Sequence, residues 1–274
     1  MSSFIVSLWV LAGICFVTWL LSVITKDTSW VDRIWSVIPV VYLWIFAGSV
    51  GFTDARVNVM AVIVTLWGAR LTFNFARKGG YMPGGEDYRW EVLRQGMTPA
   101  QYQIFNVFFI VIFQNVVLWL ITLPAWVAVE NPSPFGFWDL VLTVLFLALL
   151  IFETTADQQQ WNFHKRKHAA IAAGKTPESN FLTTGLFSVS RHPNFFAEQS
   201  QWWVLFFFSV TATGQIAQWT VLGAILLTTI FIGSTRFTEN ISVSKYPEYA
   251  DYQRRVSPII PWFPKPESSV KRAN

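Results

Sequence analysis

The densest run of chemically able side chains is Gly185-Leu186-Phe187-Ser188-Val189-Ser190-Arg191-His192-Pro193-Asn194-Phe195-Phe196-Ala197-Glu198. Proline suits the first turn of a helix, so Pro193 predicts a helix start with Arg191 and His192 just ahead of it. Asn194 and Glu198 then share one face, a turn apart. Free N–H groups at a helix start beside an arginine make a natural anion site; the plainer reading is an ordinary helix start with a basic flank. Upstream, Glu153 and Asp157 are four apart and stand one above the other on a helix. Two carboxylates so placed repel unless donors or a cation lie between them. They suit a ribose hydroxyl or an amide, or a structural pairing with Arg70 or Arg236. Arg70 sits in the apolar stretch Leu66-Trp67-Gly68-Ala69-Arg70-Leu71-Thr72-Phe73, and Asn74, Arg77 and Lys78 continue a polar face at helical spacing; a snorkelling arginine is the alternative. Near the end, Arg236 and Glu239 can face inward on a last helix, and Tyr246, Tyr249 and Tyr252 form a stripe able to stack on a base or to pack on a membrane surface, the commoner fate.

Metal chemistry is not expected. His164 and His168 have i, i+4 spacing, but Lys165-Arg166-Lys167 between them repels a cation, and the third histidine is His192. The single cysteine, Cys15, has no partner for a disulfide and cannot build a cysteine zinc site.

The elements that must position these residues are membrane helices. Of 274 residues 53% are hydrophobic and 13% charged, with 15 tryptophans, against about 25% charged in a soluble domain. Spans are expected near 4–24, 34–51, 57–76, 104–129, 136–157, 196–213 and 217–236, making residues 1–274 one all-α domain of seven transmembrane helices. The second, with Pro39, and the sixth, opening on Glu198-Gln199-Ser200-Gln201, are the weakest. With the N-terminus outside and the C-terminus cytoplasmic, Lys26 and Arg33, then Arg77, Lys78, Arg89 and Arg94, then Lys165, Arg166, Lys167, Lys175 and Arg191 all fall inside. The tail adds Lys245, Arg254, Arg255, Lys265, Lys271 and Arg272, and the outer loops keep only Arg56. That asymmetry accounts for the net charge of +4 without nucleic acid. The start, Met1-Ser2-Ser3-Phe4, lacks the basic flank and cleavage site of a secretory signal, so the first apolar run reads as a retained span. The closing Ile259-Ile260-Pro261-Trp262-Phe263-Pro264 reads as an interfacial anchor.

The run from Gly185 to Glu198, with Lys245-Tyr246-Pro247-Glu248-Tyr249, Ile260-Pro261-Trp262-Phe263-Pro264, Trp67-Gly68-Ala69-Arg70-Leu71 and Glu86-Asp87-Tyr88-Arg89-Trp90, resembles the membrane reductases built on the steroid 5-alpha-reductase C-terminal domain, the 3-oxo-5-alpha-steroid 4-dehydrogenase type, and especially their bacterial relatives. The resemblance implies a seven-helix bundle holding NADPH in a cytoplasm-facing cavity. Its reaction would pass hydride to the beta carbon of an enone in a lipid-like substrate, a 3-oxo-4-ene steroid being one such molecule. By matching position Asn194 and Glu198 would hold the nicotinamide amide, while Arg70, Asp157, Lys165 and Arg236 would grip ribose or phosphates. Asn74, Asp87, Arg89, Glu153, Arg191, His192, Glu239 and Tyr246 complete the candidate cofactor-binding set. A departure matters: Trp67 stands where the steroid reductases place a tyrosine that holds the substrate ketone, and Asp32 is a stand-in for their glutamate. Asp32 and Tyr88 are therefore the catalytic candidates, as acids that stay protonated near neutral pH and stabilise an enolate. The implied setting is a multi-pass protein of a bacterial inner membrane, with the bilayer and a hydrophobic small molecule as partners. The Arg-His-Pro helix start and tyrosine-rich tail are also similar to the isoprenylcysteine-type methyltransferases, which use S-adenosylmethionine. A transporter is disfavoured, because the polar residues gather at one membrane face and do not line a path across.

Overall fold

In the computed structural model, which describes residues 1–266, all regular elements among the described residues are helical. They are α1 (Ser3–Thr25), α2 (Trp30–Ile34), α3 (Ile38–Ser49), α4 (Ala55–Arg77), α5 (Tyr88–Gln95), α6 (Pro99–Phe105), α7 (Gln114–Leu120), α8 (Leu123–Glu130), α9 (Phe137–Ala172), α10 (Pro193–Thr213), α11 (Val221–Lys245) and α12 (Tyr249–Arg255). Lys271 and Arg272, counted above with the inner charges, lie outside the described residues.

Among the described residues five helices are long and apolar enough to cross a membrane: Ser3–Thr25, Ala55–Arg77, the composite Pro99–Glu130, Phe137–Ala172 and Val221–Lys245. Lipid offers the backbone no partners, so these apolar runs close their hydrogen bonds within themselves. The other two expected spans are the ones with polar or breaking residues. The second resolves into α2 and a 12-residue α3 with Pro39 in its first turn, only about 18 Å at 1.5 Å per residue. The sixth is α10, which has 21 residues but opens on the polar run through Gln201. The fourth is not uniform: Asn106–Phe113 winds as a π-helix between α6 and α7, and Pro124 starts α8.

The chain divides into two compact units, Met1–Leu147 with Trp202–Leu227, and Ala148–Gln201 with the chain from Thr228 onward. In the first unit α1 is held by a polar seam. Ser7 Oγ accepts from Trp119 Nε1 at 2.9 Å, Thr18 Oγ1 from Asn115 Nδ2 at 3.4 Å, and Ser22 Oγ from Asn106 Nδ2 at 2.9 Å. Such bonds act as glue where hydrophobicity gives lipid-facing helices no reason to associate. α3 and α4 approach through Gly68, where a Cβ would stand 2.5 Å from the Ser36 carbonyl oxygen and 2.7 Å from Val40 Cγ2. Trp67 and Trp202, both buried, meet edge to face at 4.8 Å.

Arg56, which the sequence places in an outer loop, is instead 2% exposed and locked. Its Nε and Nη2 donate to the two Asp139 oxygens at 2.7 and 2.9 Å, and Nη1 donates to Ser133 Oγ at 2.7 Å. Asp139 also accepts from the Gly136 N–H and from Thr211 Oγ1, which fastens the starts of α4 and α9 to the far end of α10.

In the second unit α9 is the central feature. It has 36 residues, about 54 Å at the helical rise, against an apolar bilayer core of about 30 Å. The expected span ends at the acid pair, whereas the helix continues because Gln, Trp, Lys, Arg and Ala all tolerate it. Around the acid pair and beyond it, Ala156 and Phe163 pack with Leu182, Leu186 and Phe187. The tyrosine stripe forms a second cluster, in place of the expected surface layer. Tyr249 and Tyr252 are buried with Val256 against Phe181, whose ring lies 4.9 and 5.7 Å from theirs.

Candidate functional site

The Arg-His-Pro start of α10 is built by the tail of the chain. Arg191 N–H donates to the Ser257 carbonyl at 2.8 Å and His192 N–H to that of Pro258 at 3.1 Å. The Arg191 guanidinium grips Glu239 on α11, with Nε on Oε1 at 2.6 Å and Nη2 on Oε2 at 2.8 Å. Its Nη1 donates to the carbonyls of Gln253, at 2.8 Å, and Val256. Glu239 further accepts from Gln253 Nε2 at 2.9 Å and Tyr249 OH at 3.4 Å, and His192 Nε2 lies 3.1 Å from Oε1. A buried carboxylate satisfied on so many sides stays ionised, and the arginine opposite it is its counter-charge. Burial among the same rings pushes the Tyr249 and Tyr252 hydroxyls up from their ordinary value.

A second polar seam joins α9 to α10. Asn194 Nδ2 donates to Asp157 Oδ1 at 3.3 Å, and Gln201 Nε2 donates to Glu153 Oε2 at 2.7 Å. Glu153, Asp157 and Glu198 are 3%, 4% and 5% exposed, so three carboxylates are taken out of solvent along these two helices. The neutral amides between them supply the donors that the i, i+4 acid pair requires. Gln159 Oε1 accepts the Leu186 N–H at 2.9 Å, and Gly185, at φ +65, leaves no room for a side chain there, where a Cβ would meet Gln159 at 2.5 Å. Gln159 and Gln201 were not singled out from the sequence; their only signal is being amides within α9 and α10. Lys165 and Arg236 are exposed. Tyr246 is half-buried, with Lys167 Nζ 4.9 Å over its ring. Lys167 also donates to the Asn180 carbonyl at 2.7 Å.

The remaining candidates belong to the first unit. On α4, Asn74 is buried and its Oδ1 accepts from Arg77 Nε at 2.8 Å, while Arg70 is half-buried one turn before it. Asp87 caps α5 by accepting from the Arg89 N–H at 2.9 Å and holds the Arg89 guanidinium at 2.9 and 2.8 Å. Asp32, half-buried on α2, accepts from Trp90 Nε1 at 2.7 Å. Burial pushes its carboxyl above the ordinary value, opposed by the Trp90 hydrogen bond and by Arg89, and reinforced by Asp87. Tyr88, the other acid candidate, is 53% exposed. Around them Glu86 accepts from the Thr28 N–H at 2.9 Å and from Arg94 Nη2 at 2.7 Å, and Thr28 Oγ1 lies 2.8 Å from Tyr102 OH. This mesh ties the segment before α2 to the glycine-rich segment before α5.

Among the described residues no three His, Cys, Asp or Glu side chains are grouped to hold a metal. Several helices long and apolar enough to span, carrying buried carboxylates, amides and arginines, point to a multi-pass membrane protein that is helical throughout its described elements. Residues 18–256 match the family described as protein of unknown function DUF1295, a steroid 5-alpha-reductase-like membrane family, and the chain belongs to it. It is 41% identical over 261 residues to an uncharacterized protein of Schizosaccharomyces pombe, covering 89% of this chain and 76% of that one. No solved structure matches.

Proposed function

We propose that the protein is an NADPH-dependent membrane reductase that saturates the carbon–carbon double bond of an enone in a lipid-like molecule. In this reading the chain crosses the bilayer seven times, with its N-terminus outside and its cofactor site toward the cytoplasm. The observation that carries it is the pairing of Asn194 on α10 with Asp157 on α9, with buried Glu198 one turn further along α10. A carboxamide presents both N–H donors and a carbonyl acceptor, and this seam offers the complement: carboxylates to accept, and the Asn194 amide to donate. NADPH, when bound, supplies the hydride.

The residues of the chain then divide the remaining work. Glu198 and Asn194 orient the nicotinamide amide, and Asp157 and Glu153 accept from ribose hydroxyls. The exposed cations Lys165 and Arg236 suit phosphate oxygens. Arg191, whose guanidinium already serves Glu239 and two carbonyls, acts as a positioning residue that fixes the start of α10. Asp32, whose carboxyl burial raises and whose orientation the Trp90 hydrogen bond sets, is the candidate proton donor.

The test is thermal unfolding of the detergent-solubilised protein with NADPH or S-adenosylmethionine, since a ligand bound only by the folded state raises the midpoint by mass action. NADPH is expected to raise it, and Asn194→Ala and Glu198→Ala each to abolish the rise while the protein remains folded. Stabilisation by S-adenosylmethionine alone transfers the site to methyl transfer, and an unchanged NADPH response in both variants refutes the nicotinamide assignment.

A further inference from the structure

We propose that Ile260–Phe263 is a rigid tether to the membrane surface, and that its partner is the headgroup region of the bilayer crossed by the chain's own helices. Ile260, Trp262 and Phe263 are 64%, 71% and 86% exposed, three large apolar side chains in a row of four positions. Exposed apolar tails ordinarily move freely, but here the backbone is pinned. Ser190 Oγ donates to the Ile259 carbonyl at 2.6 Å, Trp262 N–H donates to that of Val189 at 2.9 Å, and Lys265 N–H donates to that of Arg255 at 2.9 Å. The backbone that carries the rings is thus held in place, and the rings stand exposed among the described residues.

Their level in the unit indicates what does cover them. Trp262 is bonded to Val189, two residues from Arg191, and Arg191 grips Glu239 six residues before the last residue of α11, Lys245. Six residues of helix rise about 9 Å. The aromatic pair therefore lies beside the last turns of a helix long and apolar enough to span, the depth at which tryptophan is enriched because its ring is apolar and its N–H can reach headgroup oxygens. Pro261 and Pro264 carry no N–H, which reduces the number of donors that the interface must satisfy. Arg255 precedes the segment and Lys265 follows it, cations that favour lipid phosphates, while Arg254 is paired with Asp251. Because the pinning bonds run through Val189, Ser190, Ser257 and Pro258, contact with the bilayer also steadies the backbone from which Arg191 and His192 project.

The experiment places Trp262→Cys and Phe263→Cys, one at a time, in a Cys15→Ser chain, labels them with an environment-sensitive fluorophore and reconstitutes the protein in phosphatidylcholine vesicles. Lys175→Cys, on the exposed turn after α9, is the aqueous reference. Emission at 262 and 263 is expected to be blue-shifted, quenched several-fold by spin labels on the lipid headgroup and shielded from aqueous iodide. Behaviour matching the reference at both positions overturns the tether. A second measurement needs no substitution: hydroxyl-radical oxidation of Trp262 in the unmodified, vesicle-bound protein is expected to be several-fold slower than in a free peptide of residues 257–265, and equal rates overturn it as well.

Discussion

Arg191 and Glu239 form a two-pronged ion pair, 2.6 and 2.8 Å, in which both partners are under 10% exposed. A planar guanidinium can make two parallel bonds to a carboxylate where an ammonium cannot, and the third nitrogen is spent on carbonyls of the α12 turn and the residue after it.

Glu239→Gln should therefore leave a buried guanidinium without its counter-charge and destabilise the protein by about 3 to 5 kcal/mol. Arg191→Lys should cost nearly as much, because an ammonium cannot bridge both oxygens and also reach two carbonyls. Denaturant unfolding in detergent checks both. The double change Arg191→Met, Glu239→Leu should be milder than either single one, and a double variant as damaged as the sum of the two would contradict the pairing.

Arg56 and Asp139 should behave alike, at the start of α4. Asp139→Ala strands Arg56 among Ser133, Pro134 and the helix ends, with an expected loss of about 3 to 5 kcal/mol. Asp54→Ala is the contrast, since it removes only the cap on the Val57 N–H, at about 1 kcal/mol. Melting midpoints of the two variants, measured side by side, decide the ranking.

Asp32 gives a pH dependence of known sign. Its carboxyl is raised above 3.8 in the folded protein, so the folded state binds this proton more tightly than the unfolded chain does. The associated stability is fully present below 3.8 and is lost as pH rises through the folded value. Asp32→Asn should flatten that part of the stability curve. Trp90→Phe removes the hydrogen bond that favours the ionised form and should move the same transition to higher pH. Unfolding midpoints from acid to neutral pH are the readout, and identical profiles for wild type and Asp32→Asn would count against the raised carboxyl.

Gly68→Val puts a carbon bearing two methyl groups where α4 meets the Ser36 carbonyl. Overpacking of this kind costs about 1 to 3 kcal/mol, with α3 expected to move away from α4. Cross-linking yields between cysteines introduced on α3 and α4 report the separation, and yields unchanged from wild type would show that the approach is not tight.

Charge and helical spacing carried much of this arrangement in the linear chain. Arg191, His192 and Glu239 were all chosen from sequence and meet in one network; Asn194 and Asp157, chosen separately, are hydrogen-bonded. The amides that complete the seam were not legible, because Gln159 and Gln201 carry no charge and nothing local distinguishes an interior glutamine from a lipid-facing one. Arg56 reads as a loop charge in the linear chain because its partner Asp139 is 83 residues away, and sequence distance hides such pairs. The stripe Tyr246, Tyr249 and Tyr252 shows the limit of periodicity: spacing fixes which side chains share a face, whereas Phe181, from another segment, determines that the face is interior. The reach of α9 past Asp157 was missed because hydropathy ends where lipid ends, while helix propensity does not.

The stitching of residues 253–262 back onto residues 189–192 also sets an order of assembly. Arg191 and Val256 are 65 positions apart, so a growing chain has already emitted the Arg-His-Pro start before its carbonyl partners exist. Until residues 253–258 are made, the Arg191 guanidinium can hold Glu239 but lacks the carbonyls that take its third nitrogen. Closure of this corner therefore follows synthesis of residues 253–258, and a chain interrupted shortly before Val256 would keep the Arg191–Glu239 pair but leave Arg191 Nη1 without the Val256 acceptor.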